Sequence, residues 1–241
     1  MPQARLDQQL TRRKEGLLRA FLKRLHAPIH ESRIQALACR VTPYLREGDR
    51  VLDVGCGTGF LGRAILETPS CPSRVHIHGV ERHRRDHELI DVQAYDGLTI
   101  PYGEKTYDVV ILADVLHHAD EPERLMSECI RVSKRLLIIK DHQVKGLFAR
   151  QRLALLDWIA NAPFGVPCLY RFWTAAQWTE TFRRHRLTIE DEVTSMGLYP
   201  FWLNLLFGEG LHYFAVFRIP ATTHAAFQHQ TERSVSLPPR D

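Results

Sequence analysis

The sequence has little of what would place it among disulfide-stapled, membrane-spanning or strongly nucleic-acid-binding proteins. Its five cysteines in 241 residues, Cys39, Cys56, Cys71, Cys129 and Cys168, are odd in number and contain no CxxC pair. That argues against a disulfide framework or a structural zinc centre and for a reducing, cytoplasmic compartment. No apolar run is long enough to span a bilayer; the nearest, residues 198–217, is broken by Pro200, Asn204, Gly208, Glu209 and Gly210. The first residues are charged through Arg5, Asp7, Arg12, Arg13 and Lys14, so no signal peptide is expected. A net charge of +4 is too small to argue for a nucleic-acid partner and leaves peripheral lipid contact open. The basic runs Arg82–Arg85 and Arg183–Arg186 lack interleaved aromatics and are expected to be surface. His83 and His87 stand at metal-like spacing, but Arg84 and Arg85 between them would repel a cation, and no metal site is expected. There is no internal repeat and no signal for oligomeric state.

The 44% hydrophobic content is enough for one substantial core. Residues 1–44 read as an N-terminal helical segment, with Leu6, Leu10, Leu17, Phe21 and Leu25 at helical spacing and Pro28 as an interruption. From residue 45 to 219, strands and helices alternate. Strands are expected at Arg50–Val54, Val75–Val80, Tyr107–Leu112 and Leu136–Lys140, with a short third strand before Asp96. Helices are expected at Leu61–Glu67 and Glu121–Val132. Near-continuous apolar strands alternating with helices predict an α/β fold: a Rossmann-like, doubly wound, mainly parallel sheet that binds its ligand at the carboxyl ends of the strands. Residues 142–173 form an aromatic-rich insertion, after which a helix restarts at Thr174 with Trp178 and Phe182 on one face. Leu187–Val193 and His212–Ile219 close the sheet as antiparallel neighbours. The polar tail, 220–241, is expected to be disordered.

The richest stretch is VLDVGCGTGFLGRAI, residues 51–65. A strand ending at Val54 is followed by Gly55, Gly57 and Gly59, then by helical spacing from Phe60. Glycine lets the backbone bend sharply and approach a ligand without a Cβ, and the helix offers free N–H groups. This is a nucleotide-type cofactor turn. Two glycine registers overlap in it. Gly57, Gly59 and Gly62 spell GxGxxG, but that register begins three residues beyond the strand and no nicotinamide-domain pattern follows, so a NAD(P)-dependent oxidoreductase is disfavoured.

VLDVGCGTG at 51–59, GVE at 79–81, YDG at 95–97 and YDVVILADVLHHADEPERLM at 107–126, in that order, resemble the class I S-adenosylmethionine (SAM) dependent methyltransferases. The likeness is to the small-molecule branch called methyltransferase type 11, over roughly residues 45–140. It implies SAM as cofactor, S-adenosylhomocysteine as product, and transfer of a methyl group to an aromatic, lipid-like or other small molecule, at oxygen or carbon before nitrogen. The alternatives are a macromolecule-directed methyltransferase and a SAM-binding subunit that has lost catalysis. In the family, Gly55, Gly57 and Gly59 approach the cofactor, Asp53 accepts from its ammonium group, Glu81 from the ribose hydroxyls and Asp96 from the adenine amine, and Asp114 faces the same crevice. Methyl transfer needs an in-line approach, and a general base only where the acceptor must lose a proton. Candidate bases follow the fourth and fifth strands: His117 and His118 after the former, and Lys140, Asp141 and the preferred His142 after the latter. Lys140 is a candidate substrate contact or a partner of Asp114 or Asp141. Trp158, Tyr170 and Trp173 of the insertion are candidate acceptor contacts.

Overall fold

The computed structural model describes residues 30–161, 168–198, 204, 207–208 and 210–220. Most of the N-terminal segment, the 220–241 tail beyond Pro220 and most of the apolar 198–207 stretch lie outside the described residues. Helix α1 (residues 30–41) leads into β1 (Arg50–Val54), α2 (Phe60–Glu67), β2 (His76–Glu81), β3 (Asp91–Ala94) and β4 (Tyr107–Ala113). A 3-10 turn at Leu116–His118 precedes α3 (Pro122–Val132), β5 (Ser133–Val144) and α4 (Ala149–Asn161). The two-residue β6 (Trp173–Thr174), α5 (Ala175–Arg184), β7 (Thr188–Val193) and β8 (His212–Arg218) complete the order.

The strands lie in the order β3-β2-β1-β4-β5-β8-β7, with β6 paired to β5 off this path. Pairings from β3 through β5 are parallel, while β8 runs antiparallel to both β5 and β7. This is the doubly wound α/β sheet, with its order reversing between β1 and β4. The central strands β1, β4 and β5 are largely apolar because both faces are covered, while the edge strands β3 and β7 carry exposed polar residues. On one face Leu52, Val110, Leu112, Leu137 and Ile139 pack with α3 and α5; on the other Val51, Val109, Ile111, Leu136 and Ile138 pack with α1 and α2. Successive residues of a strand point to opposite sides, so one uninterrupted apolar run serves two cores.

Helix α5 begins where expected. Thr174 caps it, accepting from the Gln177 N–H, while the Gln177 side chain accepts from the Thr174 N–H. Trp178 and Phe182 sit one turn apart and stack against Tyr213 of β8, with Phe182 also 4.2 Å from Phe217 between ring centroids. Strand β5 is longer than expected. It runs through Lys140, Asp141 and His142 to Val144, past the end of β4, because β8 pairs with it there (Asp141↔Tyr213, His142↔His212) and β6 pairs with Gln143. The charged residues at 140–142 therefore lie within the strand rather than after it.

Truncating Phe182→Ala should remove one member of the α5–β8 stack and cost about 3–5 kcal/mol of stability, the range for buried aromatic truncation. Urea unfolding of the variant measures this; a loss under about 1 kcal/mol would mean that α5 is not anchored through this ring.

Candidate active site at the sheet switch point

The helix that follows β1, α2, and the helix that follows β4, α3, pack on opposite faces of the sheet, which opens a crevice above the tips of β1 and β4. The glycine turn forms its floor. Gly55 takes φ 69° and its N–H donates to Val80 O at 2.8 Å; a Cβ there would stand 2.7 Å from Cγ2 of Val115, the residue after Asp114. Gly57 takes φ 60°, but a Cβ there would meet nothing nearer than the Arg85 guanidinium at 3.9 Å. Its bare face looks into open space, which a side chain would fill. Gly59 is the N-cap of α2.

Three acidic groups surround this turn in different ways. Glu81, at the end of β2, accepts from the Gly57 N–H at 2.9 Å and from the His83 N–H at 3.3 Å, so its half-buried carboxylate lies across the turn. Asp53 is 2% exposed, and its Oδ2 has no hydrogen-bond partner among the described residues. Burial, with the Glu81 charge adding to it, pushes the Asp53 carboxyl up to about 7, against a hydrogen bond from the Gly62 N–H. A buried carboxylate oxygen without a donor suits an ammonium group. Asp96 is exposed beyond β3, and its Oδ1 accepts from the Leu98 and Thr99 N–H groups at 2.7 and 2.6 Å. Those bonds lower its pKa and commit one oxygen to the turn.

A second cluster lies at the tips of β4 and β5. Asp114 has φ 58°, and its carboxylate takes Arg33 of α1 at 2.7 Å on Oδ2 and the Lys140 ammonium on Oδ1, with His142 Nε2 3.7 Å away. Burial disfavours the Asp114 charge, but Arg33 and Lys140 outweigh it and hold the carboxyl well below its ordinary range. Lys140 is 1% exposed, and burial lowers its pKa against the pull of Asp114.

The histidines fall into different states. His117 Nδ1 is 2.6 Å from Asp141 Oδ1, and Asp141 is itself fixed by the Leu116 and His142 N–H groups. Burial opposes the His117 charge, yet Asp141, followed by Asp157 of α4, pushes its pKa up to about 10. His117 is therefore an imidazolium at neutral pH and not a proton acceptor. Burial, then the Lys140 and His117 charges, hold His142 well below its ordinary value. His142 is neutral, and its Nδ1 has no hydrogen-bond partner among the described residues. Burial and the His117 charge likewise lower His118, whose Nε2 is 3.5 Å from Asp157 Oδ1.

The insertion covers this cluster with residues that its aromatic content did not single out. Phe172 packs 5.7 Å from the His117 ring and 5.6 Å from that of His142, and Asp157 is buried beside both adjacent histidines. Trp173 instead lies in β6 with its ring 4.5 Å from Trp178, packed against the core. Trp158 and Tyr170 are on the outside, 44% and 45% exposed. The structure thus joins Lys140, Asp114, His142 and His117 in one network and leaves Trp158, Tyr170 and Trp173 outside it. Arg33 was missed, Asp141 was a candidate base rather than the partner of His117, and Asp157 was only one of the polar residues of the insertion. The one sequence signal for Asp157 is an acid inside the apolar run LALLDWIA, four residues after the buried Leu153. Both basic runs carry exposed arginines paired with acids just outside them, through Arg84–Glu88 and Arg183–Glu180.

A family model described as a methyltransferase domain matches residues 21–192. The demethylmenaquinone methyltransferase of Renibacterium salmoninarum is 31% identical over 135 residues, covering 51% of this chain and 56% of that protein. The ubiquinone biosynthesis O-methyltransferase of Coxiella burnetii is 26% identical over 119 residues, covering 47% and 49%. The chain spans about half the length of these two relatives. Among solved structures, a SAM-dependent methyltransferase from Aquifex aeolicus superposes with a TM-score of 0.56 at 16% identity, over 84% of this chain and 98% of that one. No helix among the described residues is long and apolar enough to cross a membrane.

The Asp53 carboxyl titrates near 7 when no ligand is bound, and only its ionised form attracts an ammonium group. Affinity for SAM should therefore be weaker at pH 6 than at pH 8 by up to about tenfold, the effect of one pH unit below the pKa. Calorimetry at the two values tests this, and equal affinities would remove Asp53 from the ammonium site.

Proposed function

This chain belongs to the class I SAM-dependent methyltransferases, and from that premise we propose that its switch-point crevice methylates an apolar small molecule of phenolic or quinone-related type, at oxygen or carbon. The observation that carries the donor half of this reading is the bare face of Gly57, held by Glu81 and flanked by the unfilled Asp53 oxygen. The acceptor half is supported by the quinone-related names of the two relatives, one a demethylmenaquinone methyltransferase and the other an O-methyltransferase of ubiquinone biosynthesis, and by apolar side chains around α4, where Leu147, Phe148, Leu155, Trp158 and Tyr170 are all exposed.

When bound, SAM supplies a methyl group on a sulfonium, ready for in-line displacement. Asp53 would hold the ammonium group. Glu81 would accept from the ribose hydroxyls while keeping the Gly57 N–H in place, and Asp96 would offer Oδ2 to the adenine amine. Val115 lies against the glycine turn and is continuous with Asp114, so the turn and the polar cluster are in direct succession. Asp114 acts on the site by fixing Arg33, and hence α1, to the tips of β4 and β5. For a hydroxyl acceptor, His142 is the proton acceptor, being neutral with Nδ1 unpaired; His117, already protonated, can only donate. Trp158 and Tyr170 would meet the apolar part of the acceptor at the rim.

Gly57→Val should weaken SAM binding by more than about tenfold, because a β-branched residue at this positive φ costs about 1–3 kcal/mol and its side chain enters the open face. Calorimetry with SAM and with NAD on the folded variant and the parent decides the donor: retained SAM affinity in the variant, or NAD binding without SAM binding in the parent, overturns the placement. Transfer of labelled methyl from SAM to hydroxylated quinone precursors tests the acceptor class. In that assay His142→Ala should lower kcat by about 10²–10⁴-fold with SAM affinity unchanged, and an undiminished rate would remove His142 as base.

A further inference from the structure

We propose that His117, His118 and Asp157 form a binding site for one divalent metal ion with zinc-like ligand preference. The two histidines are adjacent in the 3-10 turn after β4, and the carboxylate comes from α4 of the insertion, so neither element carries the site alone. One donor atom from each residue lies within 4.8 Å of the others. Asp157 Oδ1 is 3.7 Å from His117 Nε2 and 3.5 Å from His118 Nε2. Donors held at zinc–nitrogen and zinc–oxygen distances around a tetrahedral ion lie about 3.4 Å apart, so Asp157 needs only a few tenths of an ångström of contraction toward each histidine, and the whole set closes from within 4.8 Å.

The surroundings match those of a metal ligand set. With Nδ1 bound to Asp141, His117 turns its protonated Nε2 toward Asp157; a metal ion bound there takes the place of that proton, which is released to solvent, and Asp141, held by two backbone N–H groups, orients the ring from behind. Asn161, one turn further along α4, donates to Asp157 Oδ1 at 2.6 Å and orients the second ligand. The Asp157 side chain is 1% exposed, yet its Oδ2 has no hydrogen-bond partner among the described residues. Asn161 Nδ2 also stands 3.5 Å from His118 Nε2, so a cation at Oδ1 shares that oxygen with the Asn161 amide, and one held by both carboxylate oxygens also satisfies Oδ2. The His118 side chain is 22% exposed where those of His117 and Asp157 are 3% and 1%, so the site has access from one side only. Three protein ligands with one open side are the arrangement of a substrate-accessible metal rather than a closed structural one.

The role of the ion rests on the methyltransferase reading above. The His117 ring is 4.8 Å from that of His142, so a metal here borders the proposed base, and its open position would take an oxygen of the acceptor. This selects acceptors bearing a hydroxyl or carbonyl oxygen.

Zinc chloride titrated by calorimetry into the full chain, freed of metal with a chelator, should show one equivalent bound. Cobalt(II) should give the intense visible absorption of a tetrahedral N/O site. His118→Gln, at the most accessible ligand, and Asp157→Asn should each weaken zinc binding by more than about tenfold, and Asp141→Asn by about 10–100-fold through the orientation of His117. Circular dichroism confirms that each variant is folded, and SAM affinity of His118→Gln should equal that of the parent. Intact SAM binding without one-equivalent zinc uptake overturns the metal site, as does uptake equal in parent, His118→Gln and Asp157→Asn. Zinc uptake without SAM binding would overturn the methyltransferase reading of the crevice and leave the metal site standing.

Discussion

The ion network centred on Asp114 ties the working end of this molecule together. One carboxylate joins three elements that are distant in sequence: Arg33 on α1, Lys140 on β5 and its own strand β4. Taking these charges out of water is expensive, and Coulomb attraction in the interior offsets it only with good geometry and further hydrogen bonds. Here the Asp114 N–H also donates to Lys140 O, so backbone and side chains hold the same pair of strand tips. Removing one member of such a buried network leaves an uncompensated charge, at about 3–5 kcal/mol. The consequence is a rigid polar floor at the one place where the sheet opens.

That floor is possible because the centre of the sheet is dry. The middle strands bury alternate side chains in two separate cores, and Asp53, Lys140, Asp141 and His142 are buried toward the carboxyl ends of β1 and β5. Strand β5 carries the polar region further. By continuing alongside β8 it places Asp141 and His142 in a backbone ladder with no exposed edge, and Trp178 adds an N–H bond to His142 O. Asp141 then fixes His117, which reaches Asp157 on α4. The insertion is docked by charge and by Phe172 together, and this explains how an aromatic-rich segment can leave Trp158 and Tyr170 exposed while covering the crevice.

Electrostatics separates groups that composition treats alike. His117, His118 and His142 lie within one cluster, yet the first is held protonated between carboxylates while burial and neighbouring charge keep the other two neutral. Asp53 and Asp114 are acids of low exposure near strand ends. One has no cation and rises toward neutrality; the other has two and stays ionised. Each group's chemistry follows from what stands beside it rather than from its residue type.

Local patterns determined a good deal here. The glycine turn after Asp53, the apolar strands, the Thr174 cap and the Trp178–Phe182 face are short-range features whose physical reasons, φ freedom, two-sided burial and helical spacing, operate within a few residues. They were sufficient for the doubly wound sheet and for the position of its crevice. Tertiary structure alone decided the extension of β5, which depends on its β8 partner, and the pairing of Lys140 with Asp114 rather than Asp141. It also decided the recruitment of Arg33 and Asp157, and the removal of Trp173 into the core against Trp178. These are contacts between residues far apart in the chain, formed by groups whose charge state and exposure do not exist until the sheet and its insertion have closed around them.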